Sequence, residues 1–277
     1  MSVTSEPRRR WLPAPAAHYF AYTRPLTLFP TFVLVATGYA LAPAQSLGAV
    51  LSDLTFLFLV YSVLGWGGSS AFNSSQDRDS GKVNLLNNSP PLPQGLAAFG
   101  LALSVCSVVL CAVWPGKMRV LPWALACGIL STYYSWKTAW WTRGKDIPGV
   151  DVLIHSVGSG IVTIGLGLAA GGQRSTLDLV WVATAFSVAL LGGYPTTQIF
   201  QLEGRTHEKA FDFTSWLGPD RALRFGAAMF FVHAALLIAW WVVRESRLCR
   251  KFGLPRRLAF ARPRVSRLRG WVVNGSF

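Results

Sequence analysis

The chain has 277 residues, of which 52% are hydrophobic and only 14% charged, with 26 Lys and Arg against 12 Asp and Glu. An ordinary soluble domain carries about 25% charged residues, so these values exclude that class, and they exclude disordered and collagen-like chains as well. The formal net charge of +14 does not predict a nucleic-acid partner, because the basic residues are not spread along a soluble face. The class of protein that remains is a membrane protein.

Long runs without Asp, Glu, Lys or Arg determine the fold class. A helix that crosses the bilayer core needs roughly 20 apolar residues, with about 17 to 25 tolerated. We therefore predict an all-α, polytopic transmembrane helical bundle with about seven spans. The charge-free runs are Pro25 to Ser52, Leu54 to Gln76, Val83 to Gly116, Val120 to Trp136, Val152 to Gln173, Leu179 to Leu202 and Phe225 to Val243.

Three regions follow along the chain. Residues 1–24 form a basic arm without an apolar core, so we expect no cleavable signal peptide. Residues 25–243 form the transmembrane domain, and residues 244–277 form an Arg-rich tail. The predicted spans are Pro25 to Leu41, Leu54 to Phe72, Gly95 to Trp114, Val120 to Trp136, one from Val150, Leu179 to Tyr194 and Ala222 to Val243.

The distribution of positive charge predicts the orientation. With a cytoplasmic N-terminus, thirteen Lys and Arg residues up to Arg224 lie inside, and only Lys117, Arg119 and Arg174 lie outside. This is a positive-inside bias. It places the loops after spans two, four and six on the cytoplasmic side of an integral, multi-pass membrane protein. The segment from Asn84 to Gln94 is predicted to be a loop, because Pro90, Pro91 and Pro93 disfavour a helix.

The tail does not fit this orientation, because seven spans place its net charge of +9 on the far side. Three interpretations stay open. An eighth hydrophobic element has been lost, the tail is a non-native ending such as a shifted reading frame would produce, or the tail lies on anionic lipid.

Polar residues that suit a metal and an anion occur in the three loops of the predicted cytoplasmic side. Asn73 and Asp77 are spaced i,i+4 and share a helix face, with Asp79 nearby. Hard oxygen ligands of this kind suit Mg²⁺ with a phosphate-bearing substrate. The alternative is a solvated cap at the membrane surface. Arg143 and Lys145 follow span four, as phosphate ligands or as anchors for lipid headgroups.

The loop after span six contributes amides and a carboxylate. Gln198 and Gln201 lie i,i+3 near the end of a helix, and Glu203 follows them. Such groups are costly at membrane depth and therefore indicate function. Asp151 and His155 in span five, and His233 in span seven, are interpreted instead as residues of helix packing.

Three motifs together resemble the UbiA superfamily of intramembrane prenyltransferases, in particular enzymes like 4-hydroxybenzoate polyprenyltransferase. The similarity covers about Arg24 to Val243. The motifs are Asn73-Ser74-x-x-Asp77-Arg78-Asp79-x-Gly81 with Pro90-Pro91, then Tyr134-Ser135 with Arg143 and Lys145, and then Tyr194-Pro195-x-Thr197-Gln198-Ile199-x-Gln201-x-Glu203.

The resemblance implies a bundle of nine spans and Mg²⁺-dependent transfer of a prenyl group from an isoprenoid diphosphate to an aromatic or lipid acceptor. It implies catalytic roles for Asp77, Tyr134 and Glu203, with Tyr134 stabilising a cation by its ring face. Implied metal ligands are Asn73, Asp77, Asp79 and Glu203. Implied diphosphate ligands are Asn73, Arg143, Lys145, Gln198 and Gln201.

The chain departs from the family pattern in three respects. Ser74 and Gly81 stand where the first motif has acids, and the second motif reads Glu203-Gly204-Arg205-Thr206 without its paired aspartates. Only seven of nine spans are expected. These departures leave two alternatives to a prenyltransferase: a UbiA-like terpene cyclase, and a catalytically impaired or truncated non-enzymatic membrane homologue.

Overall fold

A computed structural model describes residues 16–43, 45–78, 89–138, 140, 142–172, 176–202 and 212–252. These residues form helices and short connections and contain no β-strand. The helices are α1 Ala16–Tyr22, α2 Pro25–Ala40, α3 Leu47–Asp77, α4 Leu96–Val113, α5 Leu121–Ser135, α6 Val150–Ala170, α7 Thr176–Leu202, α8 Phe213–Leu217 and α9 Pro219–Phe252. The prediction of an all-α membrane bundle is confirmed.

Five of the helices described are long and apolar enough to cross a membrane: α3, α4, α6, α7 and α9. The other two predicted spans are shorter than expected. Helix α2 has 16 residues and α5 has 15, which correspond to about 24 and 22 Å at 1.5 Å per residue. The hydrocarbon core is about 30 Å thick, so α2 and α5 are each shorter than the core. Five of the seven predicted spans have full membrane length.

Three predicted helix bounds were also wrong. Helix α3 begins at Leu47 rather than Leu54, with the Ser46 hydroxyl accepting the Ala49 N–H at 3.3 Å. Helix α7 runs from Thr176 through Pro195 to Leu202, beyond both ends of the predicted span Leu179 to Tyr194. Helix α9 continues past Val243 to Phe252, because no helix-breaking residue occurs before Gly253.

The bundle has two ends, as an alternating topology requires. At one end, Lys117 pairs with Asp53 and donates to the Ala170 carbonyl at 3.2 Å, and Gln45 donates to the Gly171 carbonyl at 3.1 Å. The opposite end holds the C-terminal ends of α3, α5 and α7. We call this opposite end the site end.

Helix α6 lies at the centre of the bundle. Its span is 67% buried, whereas the peripheral α9 is 6% buried along its apolar window. Glycines permit its close approach to α2: a Cβ added at Gly167 would lie 1.9 Å from the Val35 carbonyl oxygen, and one at Gly38 would lie 2.1 Å from the Ile164 carbonyl oxygen. Small residues at such crossings let helix backbones meet within lipid.

We expect Gly167→Ala to destabilise the bundle by about 1–3 kcal/mol, because the added methyl meets backbone that cannot move without separating α2 from α6. The measurement is thermal unfolding in detergent. Gly128→Ala is the matched control, since a Cβ there meets nothing within 4 Å. Equal melting temperatures for the two variants would contradict the tight crossing.

Candidate functional site

The C-terminal turn of α3 presents Asn73 and Asp77 on one face, as their i,i+4 spacing predicted. The Asn73 side-chain amide donates to the Asp77 carboxylate at 3.0 Å. The helix ends at Asp77 because Arg78 adopts the left-handed conformation with φ 52°. Both side chains therefore lie at the site end, where the chain leaves the helix.

Two cations from the connection after α5 bind Asp77. Arg143 places its guanidinium 2.5 Å from Asp77 Oδ1, and Lys145 pairs with Oδ2. Arg143 is also held at 2.7 Å by Asp146 from the short 3₁₀ turn Gly144–Asp146. The side chains of Arg143 and Asp77 are only 5% and 10% exposed. We call Asp77, Arg143, Lys145 and Asp146 the ion cluster.

The ion cluster keeps Arg143 charged. Burial opposes the charge, but the hydrogen bond to Asp146 and the negative charge of Asp77 outweigh it and hold the pKa of Arg143 above its usual value. A guanidinium that stays protonated and presents a rigid set of donors is suited to a diphosphate.

The last residues of α5 complete the contact with α3. The Ser135 hydroxyl donates to Asn73 Oδ1 at 3.1 Å, and the Lys137 backbone N–H donates to Gln76 Oε1 at 3.3 Å. The structure thus brings together four residues named from the sequence, Asn73, Asp77, Arg143 and Lys145, and adds Ser135 to them.

Tyr134 faces α7. Its hydroxyl shares a short hydrogen bond with the Tyr194 hydroxyl, and the two rings meet edge to face with centroids 6.5 Å apart. Tyr194 also stacks on the His155 ring with centroids 4.5 Å apart. This aromatic contact joins α5, α6 and α7 one layer below the ion cluster.

The structure describes only some of the remaining predicted ligands. Gln198 is a buried residue of α7, one turn beyond Tyr194. Gln201 belongs to the last turn of the same helix, and its side chain lies outside the described residues. Asp79 and Glu203 also lie outside the residues that the structure describes, so their metal-binding roles stay predictions.

Two carboxylates that the sequence did not mark as site residues, Asp151 and Asp212, are buried in the structure. Asp151 is fully buried and accepts the N–H groups of Gly149 at 2.8 Å and Phe213 at 3.1 Å. Asp212 caps α8 by accepting the Ser215 N–H at 2.7 Å and the Ser215 hydroxyl at 2.8 Å. The signal for Asp212 was the Asp-x-x-Ser spacing of a helix N-cap.

An open cavity of ≈ 420 Å³ lies at the site end, lined by Ser75, Gln76, Arg78 and Lys137, which include both sequence neighbours of Asp77. Two of these four residues are cationic and two are polar. Such a lining suits an anionic group that enters from the aqueous edge.

The donor chemistry at the end of α3 fits Mg²⁺, but the described residues offer few ligands. Asn73 and Asp77 supply an amide oxygen and a carboxylate, and Mg²⁺ is commonly bound by one or two carboxylates together with substrate phosphates. Within the described ranges no group of three or more His, Cys, Asp or Glu side chains could hold a metal ion. Asp79 and Glu203 are the predicted further ligands.

We expect Arg143→Met to lower stability by about 1–3 kcal/mol, because it removes one of the two cations bound to buried Asp77 and leaves the partly buried Asp146 without its partner. The measurement is thermal or denaturant unfolding in detergent. Arg119→Met is the control, since Arg119 is exposed at the other end of the bundle. A loss no larger than that of the control would contradict the structural role of the ion cluster.

Comparison with solved structures identifies the fold. No protein-family model and no curated protein matches the chain. A UbiA homolog from Archaeoglobus fulgidus bound to DMAPP and Mg²⁺ matches with a TM-score of 0.65 and 18% identity, over 82% of this chain and 78% of that chain. Its complex with GPP and Mg²⁺ matches with a TM-score of 0.65 and 18% identity, over 88% and 83%. The chain therefore has the UbiA fold, as the sequence motifs predicted.

Proposed function

We propose that this protein is an intramembrane prenyltransferase that transfers a prenyl group from an isoprenoid diphosphate to an aromatic or lipid acceptor, with Mg²⁺ as cofactor. The observation that carries the proposal is the ion cluster: a buried carboxylate bound by two cations at the end of a UbiA-type bundle that also holds an open, positively lined cavity. Solved structures of the same fold hold DMAPP or GPP together with Mg²⁺.

The ion cluster can exchange partners without a large change in local charge. Arg143 and Lys145 carry two positive charges, and Asp77 and Asp146 carry two negative charges. When a diphosphate arrives, the two cations can turn from Asp77 to the phosphate oxygens. Asp77 and Asn73 would then hold the magnesium ion. Asp146 keeps Arg143 oriented during this exchange.

The remaining residues orient and protect the reacting group. Bound magnesium would neutralise the charge that develops on the diphosphate as it leaves. Arg143 and Lys145 would donate hydrogen bonds to the departing anion, and preorganised donors of this kind stabilise developing charge. Ser135 fixes the Asn73 amide, and Tyr134 presents its ring to the allylic cation.

We assign the site end to the cytoplasmic side of the membrane. The assignment rests on the count of thirteen basic residues against three up to Arg224 and on the positive-inside rule. On this orientation a water-soluble diphosphate reaches the open cavity from the cytoplasm.

We expect Asp77→Ala to reduce Mg²⁺-dependent release of diphosphate from geranyl diphosphate by about 100-fold or more, since it removes a proposed metal ligand. The protein is assayed in lipid nanodiscs with radiolabelled substrate. Asp53→Ala is the matched control, because Asp53 is a similarly buried carboxylate paired with Lys117 at the other end. Asp53→Ala should retain release even if its stability falls.

Unchanged release in the folded Asp77→Ala protein would exclude the proposed metal site. Wild-type protein that releases no diphosphate would favour the non-enzymatic homologue. Product analysis without added acceptor separates the terpene cyclase from the transferase, because only a cyclase forms cyclic hydrocarbon under these conditions.

We expect Glu203→Gln to weaken Mg²⁺-supported binding of geranyl diphosphate about tenfold, the scale on which lost support of a metal ion lowers its affinity. Binding is measured by displacement of labelled substrate at several magnesium concentrations. The amide keeps the size of the side chain and removes its charge. If wild-type affinity does not depend on magnesium, the assigned role of Glu203 is wrong.

A further inference from the structure

His155 belongs to an aromatic layer beneath the ion cluster. Its ring contacts Tyr194 with centroids 4.5 Å apart and lies 6.5 Å from the Trp66 ring. His155 is four residues inside α6 from Asp151, and Trp66 is seven residues inside α3 from Asn73. These separations correspond to depths of about 6 and 10 Å along the two helices. The layer therefore lies on the membrane side of the polar site.

The other polar atoms of this layer are satisfied within the protein. The Trp66 indole N–H donates to the Thr27 hydroxyl at 2.8 Å, and the Tyr134 and Tyr194 hydroxyls bond to each other. His155 is partly buried, and neither of its ring nitrogens has a hydrogen-bond partner among the described residues. A neutral imidazole nitrogen that is not engaged within the described part of the bundle can accept a proton.

His233 shows how a structural histidine is accommodated in the same bundle. Its Nδ1 lies 2.8 Å from the Ala185 carbonyl oxygen, and its ring packs edge to face on Phe186 with centroids 5.6 Å apart. His155 has comparable aromatic contacts but no such partner in the part of the chain that the structure describes. Packing and one hydrogen bond account for His233, and they do not account for the nitrogens of His155.

We propose that His155 is the proton acceptor of the reaction, a catalytic base placed in the aromatic layer where the prenyl cation and its acceptor meet. The inference rests on the proposed function. Neutral imidazole is the common biological base near neutral pH. The aromatic faces around it can stabilise a carbocation without capturing it.

The carbon–oxygen bond of the allylic diphosphate breaks, and its electron pair leaves with the diphosphate. In transfer, an electron pair of the acceptor forms the new bond to the allylic carbon, and the proton that the acceptor loses passes to the unprotonated nitrogen of His155. Without acceptor, the cation loses a proton from carbon to His155, and that C–H electron pair forms the double bond of an olefin.

The test uses acceptor-free turnover, so the identity of the acceptor does not matter. Full-length protein in nanodiscs is given geranyl diphosphate and Mg²⁺, and diphosphate, olefin and alcohol are quantified. Olefin reports proton loss to a base, and alcohol reports capture by water. We expect His155→Phe to lower the olefin-to-alcohol ratio about 100-fold, the lower range for loss of a general base, with little change in diphosphate release.

His155→Gln provides a second variant that keeps a polar side chain of similar length, so a folding defect of His155→Phe does not decide the outcome. His233→Phe is the matched control and should leave the product ratio at the wild-type value. Wild-type product without olefin, or a ratio unchanged in both His155 variants, overturns the assignment. A wild-type protein that releases no diphosphate instead refutes the proposed function, and the base with it.

Discussion

The pairing of Asp77 with Arg143 and Lys145 is the interaction on which the site end depends. It joins residues 66 and 68 positions apart in the sequence and holds the end of α3 against the connection after α5. Because an unpaired charge in such surroundings costs several kcal/mol, neither element can move away alone. The positions of Asn73 and Ser135, which hydrogen-bond to each other beside this pair, follow from it.

The ion cluster and the Lys117–Asp53 pair at the opposite end have different surroundings. These surroundings suit the ion cluster to a ligand and the Lys117–Asp53 pair to a structural role. Lys117 pairs with Asp53, donates to the Ala170 carbonyl and lies 5.9 Å from the centre of the Phe56 ring. It thereby joins α3 and α6 to the connection between α4 and α5. Arg143 and Lys145 instead share one carboxylate at the end that holds the open cavity, and we propose that an anion replaces that carboxylate as their partner.

The sequence predicted which segments are helical more accurately than it predicted where each helix begins and ends. Particular residues explain the difference. Span two was expected to start after Asp53, because a charge normally ends an apolar run. In the folded protein Lys117, from the connection between α4 and α5, neutralises Asp53, and α3 starts at Leu47. The i,i+4 spacing of Asn73 and Asp77 was sufficient to place them on one face. The contact from Asp151 to the Phe213 N–H spans 62 residues, and no local pattern encodes it.

The separation of charged and aromatic layers matters for the chemistry that we propose. An allylic cation reacts with any nearby nucleophile, and the hydroxyl oxygen of a tyrosine is one. Because the Tyr134 and Tyr194 hydroxyls are bonded to each other and their rings meet at 80°, the tyrosines can offer a ring face while their oxygens are engaged. The charged groups that we propose for diphosphate binding lie nearer the membrane surface. In the proposed reaction, this arrangement would let the bundle ionise the substrate at its edge and keep the cation among aromatic rings, with His155 as the base.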